Sequence, residues 1–391
     1  MGLMSEYIKK NKPIEELNSE LRELIKKYNQ KKDTYMVVHA SAISKSDIPD
    51  VALNMDDYYA IIDLIRDVES TNLDFYIETP GGSGEAAEEI VRHLRNKFEN
   101  INFVVSGEAK SAGTIIVLSG NEIYMTETGS LGPIDAQVFI GRYRVSAHDY
   151  IEWVNEKWKE AESKGRLNPF DATMIAQISP GELRGVEHSL RFAEEIVGKW
   201  LAKYKFSKWN VTETHQRPVT TDMKIKRAKE VASELINHGK WRSHGRSLKI
   251  NDLEDIGLKI NRVDSDLELA DIVYRIQTII RLIFSNSNTY KIFVTQDNIL
   301  SKNATVASPV MPINEAMPEA VEAKIECEGC KKIHELYINL NGNKEVDQEL
   351  KSKGLIPFPN NSRLICECGT ENDLSGLKND IESKFGKKIV N

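Results

Sequence analysis

No apolar run in the chain approaches the roughly 20 residues that a membrane-spanning helix needs, because charges interrupt the strongest stretches. Met1 to Lys10 lack an apolar centre, so no secretory signal is expected. A myristoylation motif at Gly2 is missing too, since Glu6 stands where that motif wants Ser or Thr. These absences predict a cytoplasmic protein with no transmembrane segment. Basic charge is not in excess: the formal net charge is -7, which argues against a general nucleic-acid binder. Cysteine is scarce, and all four copies lie near the C-terminus. That placement suits a metal site better than a disulfide framework. No internal repeat is visible.

What is present is too long for one ordinary core, since 391 residues imply two or more domains. Residues 1–34 form an N-terminal helical region, in which Ile14, Leu17, Leu21, Leu24, Ile25 and Tyr28 recur at helical spacing behind Pro13. Such a helix serves a partner or a membrane surface or, as amphipathic surface helices more often do, packs on its own domain or on a sister subunit. Residues 35–297 alternate short apolar runs with helical segments. TYMVVHA, LDFYIETP, INFVVSGEA and NEIYMT read as strands; MDDYYAIIDLIRDVES, SGEAAEEIVRHLRNKF and SAGTIIVLSG read as helices. Continuous apolar strands between helices predict an α/β fold with a parallel sheet covered on both faces. A long helical stretch follows, then a strand-like SLKI, a helix capped at Asn251, and an amphipathic helix from Asp264 to Phe284. Residues 298–320 lose periodicity and carry Pro309, Pro312 and Pro318, as a linker would. Residues 321–391 hold the cysteines and a C-terminal helix.

Cys327-Glu-Gly-Cys330 and, after 35 intervening residues, Cys366-Glu-Cys368 form two tight pairs. Zinc takes four thiolates in a tetrahedron, and two knuckles brought together by strands such as HELYINL and RLICECG would supply them. Gly329 and Gly369 help the chain turn under a metal. Because every cysteine is used, a structural zinc ribbon is expected, with Cys327, Cys330, Cys366 and Cys368 as ligands and His334 as a fifth participant or, more simply, a surface residue.

Three segments carry the chemistry. Thr79-Pro80-Gly81-Gly82-Ser83-Gly84 lies between a strand and a helix, where glycines let backbone N–H groups point outward at an anion. It lacks the Gly-Lys-Ser/Thr ending of a phosphate loop and the spacing of a dinucleotide fingerprint. Lys110-Ser111-Ala112-Gly113-Thr114 places a serine at a second strand-to-helix junction, as an exposed nucleophile or as an ordinary N-cap. Gly129-Ser130-Leu131-Gly132-Pro133-Ile134-Asp135 reads as a tight turn that can line a cleft.

In this order and spacing the three segments resemble the Clp-protease/crotonase superfamily, and within it the serine dehydrogenase proteinase family, relatives of signal peptide peptidase A. The resemblance covers roughly residues 35–285 and is densest between 76 and 138. It implies a ββα superhelix, Ser111 as nucleophile, and an oxyanion hole from Gly81 or Gly82 together with Ala112. It also implies a homo-oligomer acting on peptide or protein substrates.

The general base stays open between two residues. Clp-type proteases carry a histidine after the third segment, where this chain has Asp135. The peptidase A relatives use a lysine followed after four residues by proline. Lys164 and Pro169 have that form, 53 residues beyond Ser111, and burial can neutralise such a lysine. His244, in Gly239-Lys240-Trp241-Arg242-Ser243-His244, is the other candidate; His148 and His188 read as ordinary helical residues. Crotonase-type enolate chemistry would not need the serine. A non-enzymatic adaptor that binds protein partners through the zinc ribbon is the remaining alternative.

Overall fold

The apolar runs TYMVVHA, LDFYIETP and INFVV become the buried centre of a sheet in a computed structural model, which describes residues 2–140, 143–212, 215–304 and 318–385. The chain divides into two compact units, Met1–Val306 and Ala307–Asn391.

The first unit opens with α1 (Leu3–Lys10), α2 (Ile14–Lys32), β1 (Tyr35–Ser41), α3 (Met55–Ile65), β2 (Asn72–Glu78) and α4 (Gly84–Lys97). Next come β3 (Asn100–Val105), β4 (Glu108–Ala109), α5 (Ala112–Val117), β5 (Glu122–Met125) and β6 (Ser130–Leu131). A hairpin of β7 (Gln137–Ile140) and β8 (Tyr143–Ser146) leads to α6 (Ala147–Lys164), α7 (Pro169–Ile175), α8 (Pro180–Trp200) and α9 (Thr221–Ile236). The unit ends with α10 (His238–Trp241), α11 (Ile250–Asp255), β9 (Asn261–Arg262), α12 (Leu267–Asn286), β10 (Thr289–Val294) and β11 (Ile299–Asn303).

Seven strands form one sheet in the order β11-β10-β1-β2-β3-β5-β9. It is parallel from β1 to β9, with β10 and β11 antiparallel on one edge. Successive side chains of a strand point to opposite faces, and β2 shows the consequence. Phe75 and Ile77 pack with Ile90, Leu94 and Ile116 on one face, whereas Tyr76 packs with Leu21, Ile25 and Ile276 of α2 and α12 on the other. Each fully buried large side chain contributes about 1.5–3 kcal/mol, so both layers bind firmly to the sheet. The mixed α/β expectation holds. The N-terminal helix packs on its own unit, burying Leu17, Leu21, Leu24, Ile25 and Tyr28.

Several local expectations are corrected. SLKI forms no strand; Leu248 makes a single bridge to Leu131. The helix after it starts at Ile250, and the Asp252 carboxylate accepts from the Lys249 N–H at 2.8 Å, so Asn251 is not its cap. The amphipathic helix begins at Leu267, because Asp266 accepts from the N–H groups of Glu268 and Leu269 at 3.1 Å each. Residues 299–303 of the expected linker pair with β10 as an edge strand, and 305–317 lie outside the described residues.

The second unit contains β12 (Ala320–Glu326), β13 (Ile333–Asn339), α13 (Lys344–Ser352), β14 (Ile356–Pro357), β15 (Arg363–Ile365), β16 (Glu371–Asp373) and α14 (Ser375–Phe385). HELYINL is a strand for all but its last residue, and of RLICECG only Arg363–Ile365 is, in a different sheet: β13 lies between β12 and β14, and β15 pairs with β16. The buried core is small, with Leu336, Ile338, Phe358, Leu364, Leu374 and Ile381 at its centre. Among the described residues no helix is long and apolar enough to cross a membrane.

Candidate active site and cysteine cluster

The two glycines that follow β2 are needed for different reasons. Gly81 has φ 93, in the left-handed region, and a Cβ on it would lie 2.7 Å from the Ser111 Cβ and from the Lys110 carbonyl oxygen. Only glycine lets this loop rest against the serine. A Cβ on Gly82 would run into the backbone of Leu53. There the Leu53 N–H donates to Gly81 O at 2.8 Å and Leu53 O accepts from the Ser83 N–H at 2.9 Å. Their donors also differ. The Gly81 N–H is used by Thr79 Oγ1 at 3.2 Å. Among the described residues no acceptor meets the N–H of Gly82 or of Ala112.

Ser111 sits between β4 and α5 with φ 50 and ψ -117. A non-glycine residue held there stores of order 1–3 kcal/mol, and such residues cluster at functional sites. Its side chain makes no cap hydrogen bond to the helix that follows, so the N-cap reading fails on geometry. Thr114 of the same segment braces the turn behind it. Its hydroxyl donates to Ala109 O at 2.7 Å and accepts from the Gly132 N–H at 2.9 Å.

Ser111, Ala112 and Gly82 line a cavity of about 430 Å³ together with Asp135. Ile115, Ile134 and Phe192 give it an apolar side, and Glu85 and His188 a polar one. His188 therefore lies at this cavity rather than apart from it. Asp135 has a fully buried side chain, and its Oδ1 stands 2.8 Å from His244 Nδ1. An ionised carboxylate only accepts hydrogen bonds, so in the neutral imidazole this contact takes the Nδ1 proton and leaves Nε2 as the acceptor. Among the described residues no hydrogen bond joins Ser111 to His244; in ligand-free sites such contacts often tighten only on binding.

The structure brings Gly81, Gly82, Ser111 and Ala112 together and ties His244 to their cavity through Asp135. It does not bring Lys164 there. That ammonium is 67% exposed at the end of α6 and pairs with Glu160 at 2.8 Å, without the burial that would neutralise a lysine base. Asp135 is the residue that sequence reasoning passed over. Its only signal was a carboxylate standing where the Clp-protease resemblance implies a histidine; its partner is 109 positions away.

In the second unit the four cysteine sulfurs lie within 4.8 Å of one another. Cys327 and Cys368 are 3.7 Å apart, and Cys330 and Cys366 3.6 Å. A tetrahedral ion with bonds of about 2.3 Å sets its sulfurs roughly 3.8 Å apart, so the donor set fits a metal ion. Gly369, at φ 87, lets the short second knuckle turn. His334 is buried, not a surface residue, and its Nε2 lies 3.2 Å from Cys366 Sγ. Asn372 Nδ2 approaches Cys327 Sγ at 3.7 Å. Outer donors of this kind orient first-layer ligands.

Residues 2–173 match the family model described as ClpP-like SDH-type serine proteinase. Curated relatives include two uncharacterized proteins of Methanocaldococcus jannaschii. One is 25% identical over 193 residues, covering 49% of this chain and 53% of its own length. The other is 28% identical over 224 residues, covering 55% and 71%. The chain thus spans about half the length of the first of them. Among solved structures, a mutant of the 1510-N membrane-bound stomatin-specific protease is 20% identical, with 30% of this chain and 61% of that chain covered and a TM-score of 0.22. A mutant ClpP1 from Listeria monocytogenes is 13% identical, with 60% and 94% covered and a TM-score of 0.30. The family match bears out, for the N-terminal part of the chain, the resemblance read from the three segments.

Proposed function

We propose that this chain, whose N-terminal part matches the ClpP-like SDH-type serine proteinase family, is a serine peptidase with Ser111 as nucleophile, His244 as base and Asp135 as its orienting carboxylate. The observation that carries the reading is the Asp135–His244 contact of 2.8 Å at the cavity that Ser111 lines. His244 Nε2 accepts the Ser111 proton as Oγ attacks the substrate carbonyl carbon. The resulting imidazolium is stabilised by Asp135 and returns the proton to the leaving amine. Water, activated by the same nitrogen, then releases the acyl group. The N–H groups of Gly82 and Ala112 receive the oxyanion, the role for which their lack of acceptors suits them. Gly81 supports the hole sterically. In the second unit a zinc ion held by Cys327, Cys330, Cys366 and Cys368 has a structural role, since four protein ligands leave it no open position. Peptide segments are the substrate class, and subunits assemble as a homo-oligomer.

A fluorophosphonate probe on the full chain tests the reading. Labelling should vanish in Ser111→Ala and His244→Ala and fall by about 10⁴-fold in Asp135→Asn. Lys164→Ala should label like the parent. Loss of labelling in Lys164→Ala with full labelling in His244→Ala would transfer the base to the lysine and end the triad.

A further inference from the structure

Lys110 precedes Ser111 directly, yet it is buried and does not line the cavity. Its ammonium donates to Ser247 Oγ at 2.8 Å, to Leu131 O at 3.1 Å, and to Ser130 Oγ and Arg246 O at 3.3 Å each. An ammonium has only three protons, so four acceptors occupy it fully. Burying that charge is costly without such partners. The acceptors come from two places: β6, just before Asp135, and the stretch just after His244. The backbone supplies a third attachment, because the Lys110 N–H donates to Thr79 O at 3.0 Å, at the head of the glycine loop. Gly132 leaves room for the stem, since a Cβ there would stand 3.0 Å from the Lys110 Cδ. Immediately beyond, Leu131 and Leu248 exchange two backbone hydrogen bonds of 3.0 and 2.9 Å.

We infer that Lys110 is a positioning residue whose ammonium fastens the His244 segment and the Asp135 turn to the loop carrying Ser111. The inference rests on the serine peptidase reading and adds to it the element that keeps nucleophile and base in one frame. Lys110 is not itself the base, because its protons are committed to four oxygens. Burial lowers its ammonium to about 8; Glu108 opposes that shift and Lys249 reinforces it. Above that pH the charge is lost, the four contacts weaken, and the rate falls. A lysine base would show the opposite slope, with the rate rising through the same pH.

The test follows two readouts on the full chain across pH: the rate of fluorophosphonate labelling at Ser111, and amide hydrogen exchange at Leu131 and Leu248. In Lys110→Met labelling should slow about a hundredfold, the alkaline decline should disappear, and the two amides should exchange faster. Ser247→Ala should move both readouts the same way by about 2- to 10-fold, and it decides the matter if Lys110→Met fails to fold. A merely structural lysine would instead loosen exchange evenly across the sheet and leave the alkaline limb in place. Parental labelling, an unchanged pH profile and unchanged exchange in the variants would overturn the inference. If the parent chain does not label at all, the peptidase reading falls, and exchange at Leu131 and Leu248 still decides whether the tie exists.

Discussion

The Ser111 cavity and the cysteine cluster are built by opposite means. The proposed site draws on positions from Gly81 to His244, none of which could find its partners without the sheet beneath them. Its framework is therefore a large core, and the site is a by-product of strand order. The cysteines lie as two tight pairs within 42 residues, in a unit whose buried apolar cluster is small. A core of that size rarely supplies stability unaided, and a metal can serve as the staple. The contrast teaches that the first unit's fold should survive loss of its site's chemistry, while the second unit should depend on an ion held by its cysteines.

Stripping the metal is the strongest way to break the comparison. Structural zinc binding is worth roughly 10–16 kcal/mol in small zinc-binding peptides, more than a unit with this core can replace. Chelation or Cys366→Ser should abolish chemical-shift dispersion for residues 318–385. The transition of the first unit and the labelling of Ser111 should be untouched. Metal analysis should find about one zinc per chain before treatment. A second unit that stays folded and metal-free would show that its core is sufficient.

Acid offers a finer distinction. His39 is fully buried on β1, stacked on Phe293 at 4.9 Å, and among the described residues neither ring nitrogen has a hydrogen-bond partner. Burial lowers its pKa from 6.5 to about 4. Between those values the unfolded chain binds a proton that the folded chain refuses. Stability of the first unit is therefore fully present above pH 6.5 and falls as pH drops toward 4, by about 3 kcal/mol. The second unit should also weaken in acid, but because protonated thiols would release a metal held by its cysteines. Excess zinc should restore the second transition and leave the first unchanged. Urea midpoints for the parent and His39→Phe at pH 7 and pH 5 check this, and an equal acid loss in the variant would assign the effect to other groups.

Legibility in the sequence followed the same division. The apolar runs that became β1, β2 and β3 declared a parallel sheet, because strands buried on both faces carry few polar residues. The glycine loop and Ser111 were readable since their conformation demands particular residues at adjacent positions. Asp135 and His244 were not readable as a pair, because nothing local marks a contact across 109 positions. Lys164 illustrates the converse. Its spacing to Pro169 was suggestive, but spacing carries no information on burial, and α6 leaves its ammonium in solvent. The edge strand β11 was hidden for a related reason, because ILSKN has one face in water and little apolar periodicity.

The smallest effect probes whether the Ser111 loop is held under tension by the core around it. At φ 50 and ψ -117 the residue occupies backbone space that a Cβ disfavours. Ser111→Ala keeps the Cβ and removes a hydroxyl that caps nothing, so stability should change by less than about 0.5 kcal/mol. Ser111→Gly removes the Cβ and relieves of order 1–3 kcal/mol of strain. The freedom glycine adds to the unfolded chain opposes this by roughly 0.5–1 kcal/mol. Ser111→Gly should therefore be the more stable of the two by about 1 kcal/mol, although both lose labelling. Urea denaturation of the first unit, read at pH 7 with zinc present, measures the difference. A glycine variant less stable than the alanine one would mean that the loop is relaxed around its serine, and that the geometry of Ser111 costs the fold nothing.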